Sequence, residues 1–317
     1  MTGKKRLAPW KEVVFPWEEV TGIENEAFLD CHSVVNVLNV LAMQLDLLSL
    51  EFDSLEQGQE ILVKIQDISF KIHEGKEKVG EAIKDCIKLD EEIKALIEYL
   101  NGSEDEEIQS FGPVIEEISV RLQSCAQELL ARFLHPNAWV RVTPSEIQEQ
   151  IRSFYNAVAK NSRGKYDFVY DDSDRDPNIY RVNLQLDPNK HGFFEMPPVM
   201  LDTLRDLAAN ARKYTPPGGV IEIALQVVNE HISLTVEDNG MGIPKEEITK
   251  VVKFGFRASN AGHMPTMGGG FGLTKALSVS SRYRGNMRIA SAIGEGTRIT
   301  IEIPIVSNES RPLISAV

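Results

Sequence analysis

The stretch Val236-Glu237-Asp238-Asn239-Gly240-Met241-Gly242-Ile243-Pro244 decides how the rest of this 317-residue chain is read. The residues leading into it alternate apolar Ile232, Leu234 and Val236 with polar Ser233 and Thr235, the period of a strand with one buried face. A carboxylate, Asp238, therefore stands where a core strand ends. Gly240 and Gly242 then let the backbone turn sharply and approach a flat ligand with no side chain in the way. Taken alone, D-x-G-x-G fits a calcium-binding or plain turn as well as a nucleotide loop, and its neighbours must separate the two.

Outward from this stretch the same alternation recurs at Tyr180, Val182, Leu184 and Leu186, at Ile221, Ile223, Leu225 and Val227, and at Ile299, Ile301, Ile303 and Ile305. Such strands predict a largely antiparallel sheet with helices over a single face. Residues 228–231 leave room only for a hairpin. A helix is predicted from Pro198 to about Tyr214, with an apolar stripe of Leu201, Leu204, Ala208 and Ala211 opposite a polar stripe of Asp202, Asp206, Asn210 and Lys213. Gly268, Gly269, Gly270 and Gly272 precede a second helix running to about Tyr283. Glycine amides at a helix N-terminus can bind phosphate, although no Gly-Lys-Ser/Thr follows and no dinucleotide pattern is formed. Residues 254–267 lack a clear period and are expected to form a mobile lid.

The first half reads differently. Val34, Leu38, Leu41, Leu45, Leu48, Phe52 and Leu55 step by four and three, a bundle seam. His32, Asn36, Asn39 and Asp46 lie about 200° from it and are expected to face solvent. A second helix is predicted from about Gln59 to Leu100, weakened at Gly75 and Gly80. The turn Asn101 to Glu107 offers a Ser cap to a third helix through Ile108, Phe111, Ile115, Ile118, Leu122, Cys125 and Leu129. Three helices with such apolar stripes need a partner, and a dimer completing a four-helix bundle is expected. Trp10, Phe15 and Trp17 lie in an N-terminal arm, residues 1–22, expected to dock without regular structure.

A formal net charge of −13 and a pI of about 5.1 leave no basic footprint for nucleic acid. No unbroken apolar run reaches membrane-spanning length and no signal peptide is evident, so a cytoplasmic protein without membrane insertion is expected. Cys31, Cys86 and Cys125 lack metal or disulfide spacing and read as helix-packing residues.

In chain order, Asn210-Ala211-Arg212-Lys213-Tyr214, Asp238-x-Gly240-x-Gly242, Phe254-Gly255-Phe256-Arg257 and Gly268-x-Gly270-x-Gly272 resemble the N, G1, F and G2 boxes of sensor histidine kinases, within the wider GHKL ATPase superfamily shared with DNA gyrase and MutL. The resemblance covers about residues 145–306. It implies a multidomain α and α+β protein: a helical dimerisation and histidine phosphotransfer bundle at 23–138 with an extra helix, an α/β two-layer sandwich ATP-binding domain of Bergerat type at 139–306, and a flexible tail at 307–317. It further implies ATP and Mg²⁺ as cofactors, with Asn210 holding the metal, Lys213 offsetting phosphate charge and Tyr214 lining the adenine pocket. Asp238 would accept the adenine amino group, Thr297 would support it, and Gly240, Gly242 and Ile243 would shape the pocket. Gly268, Gly269, Gly270, Phe271, Gly272 and Leu273 would wrap the phosphates, and Arg257 would reach the terminal one.

Cys31-His32-Ser33-Val34-Val35-Asn36-Val37-Leu38 is similar to the H box of the same kinases. In that family the histidine takes phosphate from ATP and passes it to an aspartate on a response-regulator receiver domain, and the residue in the position of Asn36 orients a water for dephosphorylation. Two departures stand out. Ser33 replaces the acid that commonly follows the histidine, and Asp206 replaces a common Asn four residues before Asn210, the position where gyrase and the mitochondrial dehydrogenase kinases place a carboxylate base. The expectation is a soluble, dimeric histidine kinase phosphorylating His32, with Asp206 assisting; because His32 stands too near the start for a sensor domain before it, input is expected from a partner such as an upstream sensor protein, from the extra helices or from the Trp10 to Trp17 arm. The alternatives are an ATP-hydrolysing or ATP-switched partner-binding protein, and a regulator phosphatase using Asn36.

Overall fold

The computed structural model describes residues 10–23, 26–52, 56–136, 138–162, 164–170, 178–262, 270–305 and 313–314. Two compact units emerge: Asn25–Pro136, and Met1–Glu24 together with Asn137–Ala316.

The first unit is a bundle of four helices, α1 (Glu26–Glu51), α2 (Glu56–Glu74), α3 (Lys76–Asn101) and α4 (Glu106–Leu134). What periodicity presents as one long second helix is two, because Gly75 adopts φ 119°, a backbone that ends α2 and lets α3 turn back. Helices α2 and α3 are laced by Lys71, whose ammonium lies 2.7 Å from Asp67 and 2.8 Å from Asp85. Asp105, rather than a serine, caps α4 by accepting from the amides of Glu107 and Ile108. Because α1 packs on α2 and α4, and α3 on the same two, the ring closes within one chain. The fourth helix that a second copy was expected to supply comes from the chain itself, and the seam residues Val34, Leu38, Leu41, Leu45 and Leu48 are buried within this unit. Phe28–Glu51 matches a membrane-crossing helix in length and composition, with mean hydropathy 1.5; its apolarity divides between that seam and exposed Met43, Leu47 and Leu50.

The second unit is built on a seven-stranded sheet. Its strands are β1 (Lys11–Pro16), β3 (Asp167–Val169), β4 (Ile179–Asp187), β6 (Val220–Val228), β7 (His231–Asp238), β8 (Asn286–Ala292) and β9 (Gly296–Pro304), in the order β1-β8-β9-β7-β6-β4-β3. A second sheet joins β2 (Trp139–Val142), β5 (Phe194–Met196) and β10 (Leu313–Ile314). The large sheet is mixed rather than largely antiparallel, since β3–β4 and β4–β6 pair in parallel; a parallel pair needs a crossover, and between β4 and β6 the helix α6 (Val199–Tyr214) supplies it. The β6–β7 hairpin turns through Asn229 and Glu230 at φ 49° and 60°, the left-handed pair of a tight hairpin. With α5 (Pro144–Asn161) and α7 (Gly272–Arg282), α6 contributes to one continuous core that includes Ile151, Tyr155, Leu204, Ala208, Ala276 and Val279.

The N-terminal arm is not irregular. Lys11–Pro16 add an antiparallel edge strand to the large sheet, from Lys11 opposite Ser291 to Pro16 opposite Asn286, and Trp17 stacks under Arg284 at 5.9 Å. The tail, expected to be flexible, contributes Leu313 and Ile314 to the small sheet; its other residues lie outside the described ones. The helical unit is therefore inserted in the sequence between β1 and β2.

Candidate functional site

Strand β7 ends on Asp238, which stands opposite Thr297 of β9 and Ile221 of β6 in register. The carboxyl is 8% exposed, and desolvation pushes its pKa up to about 6 against the Gly240 and Thr297 amides, which favour the charged form. The Gly240 amide donates to Asp238 Oδ1 at 2.8 Å. A Cβ on Gly240 would stand 2.3 Å from the Tyr214 carbonyl oxygen, and the next amide, Met241, donates to that carbonyl at 3.0 Å. The loop is thus seated against the end of α6. Gly242 is left-handed, φ 66°, and a Cβ there would lie 1.9 Å from the Ala292 carbonyl oxygen. Beyond it, the Ile243 amide donates to Ser291 Oγ at 2.8 Å, and Ser291 Oγ lies 2.9 Å from Thr297 Oγ1.

The last turns of α6 carry Asn210, Lys213 and Tyr214. Desolvation first, then the neighbouring Arg257 and Arg212 charges, lower the Lys213 pKa to about 8; its ammonium also sits 5.2 Å from the Tyr214 ring centroid. Burial raises the Tyr214 phenol. Helix α7 starts at Gly272, where a Cβ would stand 2.8 Å from Asn210 Nδ2. Just before it, Gly270 has φ 79° and backs onto the Phe256 carbonyl, while the Phe271 and Phe254 rings pack with centroids 4.5 Å apart. Leu273 packs on the core. Gly268 and Gly269 lie outside the described residues, as do residues 263–267 of the expected lid; its start is held by Asn260, whose amide donates to the Gly242 carbonyl at 2.9 Å.

Residues far apart in sequence are brought together in this unit: Asp238 and Gly240 with Tyr214, Asn210 with Gly272, Lys213 with Arg257, and Ile243 with Thr297 through Ser291. Asp206 is 29% exposed and its carboxylate is paired at 2.8 Å with the ammonium of Lys275, itself 2% exposed. The sequence reading missed Lys275. The available signal was a charged residue within the otherwise apolar and small run Leu273 to Ser280. Ser291, which bridges the two sides of the pocket, carried no sequence signal. His32 and Asn36 lie in the helical unit. His32 is only 9% exposed and does not face solvent as expected, because Phe28 lies 6.1 Å away ring to ring and in turn stacks on His73 of α2. Asn36 is exposed, with Nδ2 at 3.1 Å from His32 Nε2.

A buried acceptor beside glycines with no room for Cβ atoms fits the edge of a flat base with an exocyclic amine. Asn210 at the α7 N-terminus, with Lys213 and Arg257 near, fits an anion of several charges. Adenine nucleotide meets both demands. Among the described residues no group of three or more His, Cys, Asp or Glu could hold a metal ion.

Residues 199–307 match the family described as histidine kinase-, DNA gyrase B-, and HSP90-like ATPase. The chain is 33% identical over 102 residues to the sensor histidine kinase RppB of Synechocystis sp., covering 32% of this chain and 22% of that one. It is 26% identical over 182 residues to the adaptive-response sensory kinase SasA of Synechococcus elongatus, covering 56% and 43%. The chain thus spans less than half the length of either relative. Among solved structures, a mycobacterial sensor histidine kinase, MprB, is 24% identical with TM-score 0.38, covering 52% of this chain and 97% of that one.

Proposed function

We propose, from the premise that residues 199–307 form a histidine kinase-, gyrase B- and HSP90-like ATPase domain, that this protein is an ATP-dependent histidine kinase. It would transfer the terminal phosphoryl group of ATP to His32 and from there to an aspartate on a response-regulator receiver domain. The observation that carries the nucleotide half is the buried Asp238 carboxyl at the start of a glycine loop seated on Tyr214, one α6 turn after Asn210 with its Gly272 contact. In the transfer, a His32 ring nitrogen attacks the terminal phosphorus, the bond to ADP breaks, and the imidazole carries the phosphoryl group. Positioning and charge neutralisation supply most of the rate in such reactions, so Ser33 in the place of an acid slows the step without removing it.

A second reading has its own support. His32 is buried against Phe28, and the four helices close without a second copy, as suits a partner-binding bundle whose ATPase domain acts as a nucleotide switch. Incubation with γ-labelled ATP separates the two. The kinase reading expects acid-labile label on the protein that His32→Ala removes while ATP binding stays; equal labelling of wild type and His32→Ala sinks His32 as acceptor, and steady ADP release without label favours the switch. Faster loss of phosphate from an aspartyl-phosphate regulator, abolished in Asn36→Ala, would identify a phosphatase.

A further inference from the structure

Between α6 and α7 lies a charged cluster that nucleotide recognition does not use. Lys275 Nζ is 2.8 Å from Asp206 and 3.9 Å from Asp202. Lys275 is 2% and Asp202 5% exposed, and Asp202 also pairs with Arg205. Two carboxylates and two cations make the cluster neutral. Its position is informative. Asp206 precedes Asn210 by one helical turn, and Lys275 follows Gly272 by about one turn, so the Asp206–Lys275 pair and the Asn210–Gly272 contact are successive rungs of the same helix packing. The outer rung is the nucleotide-facing one. The inner rung ties the first turn of α7 to α6 and keeps an ammonium against the Asp206 carboxylate. With its Oδ2 at hydrogen-bond distance from the Lys275 ammonium, Asp206 has that oxygen turned to α7 and engaged there.

We infer that Lys275 is a positioning residue: it withholds Asp206 from proton transfer and locks the first turn of α7, so that bound ATP is held without ready attack by water. The inference rests on the nucleotide-site reading above. In the hydrolysis it suppresses, a water oxygen attacks the terminal phosphorus, the bond to ADP breaks, and the water's proton passes to the Asp206 carboxylate.

The test uses the full chain. Lys275→Met is expected to raise kcat for ATP hydrolysis by roughly a hundredfold or more, the scale of a newly available general base, with KM raised as well. Amides 272–276 in the nucleotide-free protein should exchange hydrogen faster. Lys275→Arg should return both readouts toward wild type, and Lys275→Met with Asp206→Asn should lose the gain in hydrolysis while keeping the faster exchange. Hydrolysis by Lys275→Met at or below the wild-type level, with ATP still bound, overturns the inference, as does a double variant that keeps the gain. Should Lys275→Met not fold, Lys275→Leu, which keeps apolar bulk and offers Asp206 no donor, is read by the same criteria. Absence of ATP binding by the wild type would instead remove the nucleotide reading and this inference with it, an outcome that direct binding measurement distinguishes from the others.

Discussion

At the scale of single residues, Asp238 and Lys213 oppose each other in pH. Burial raises the Asp238 pKa from 3.8 to about 6, so the folded state binds a proton more readily than the unfolded chain, and its ionisation costs stability as pH rises between those values. At ~1.4 kcal/mol per unit the cost is on the order of 3 kcal/mol. Asp238→Asn is therefore expected to keep or raise the nucleotide-free melting temperature at pH 7, while weakening ATP binding by a factor of ten or more. Calorimetry and titration of the same sample read both, and a variant that loses stability and keeps affinity contradicts the assignment. On the proposed reading Asp238 accepts the adenine amine as a carboxylate, a form lost as pH falls through about 6, and the Lys213 charge is lost as pH rises through about 8. ATP affinity should therefore pass through a maximum between those values, and Lys213→Met should flatten only the alkaline limb. Gly242→Ala brings a Cβ to 1.9 Å from the Ala292 carbonyl oxygen at a left-handed φ. It should destabilise the sheet unit by roughly 2 kcal/mol or more, measured by denaturant unfolding.

Elements differ in how far their sequence revealed them. Four strands, β4, β6, β7 and β9, were legible because each buries one face and alternates cleanly, and α6 and α7 because their stripes are unbroken. The division of α2 from α3 was not, since Ile72 and Val79 stand seven apart and carry the apolar period straight across Gly75. What ends the helix there is backbone conformation, and a period reading cannot detect that. Gly75→Ala meets no steric neighbour within 4 Å, so its cost comes from φ 119° alone; about 1–2 kcal/mol of bundle stability should be lost, and a change near zero in chemical denaturation would mean that the turn tolerates another conformation. Strand β1 escaped for a different reason. Its six residues, Lys-Glu-Val-Val-Phe-Pro, bear no alternation, and their strand character comes from β8, some 270 residues away in sequence. The Asp206–Lys275 pair was hidden in the same manner, for it joins helices that only the folded sheet brings together. The nucleotide-binding loops were read more easily because glycine spacing is a local constraint.

Over the whole molecule, the helical unit is tied at both ends to the sheet unit: residues 1–24 belong to the sheet unit before it and residues 137–316 after it. Removal of residues 1–22 should uncover the β8 edge and the Arg284 face that Trp17 covers. The melting temperature of the sheet unit should fall by several degrees while the helical unit's far-ultraviolet signal stays; an unchanged transition would show that the edge strand contributes nothing to stability. The same arrangement governs the order in which a growing chain can fold. On the ribosome, Lys11–Pro16 emerge some 270 residues before Asn286–Ser291 and must wait for them to find their partner. The four helices, whose contacts are local, can assemble long before that. While the residues between Pro136 and Asn286 are being made, the nascent protein therefore carries a finished bundle and an unpaired strand. The exposed interval of that strand is set by translation speed, a quantity that changes with codon choice and not with any residue of the mature protein.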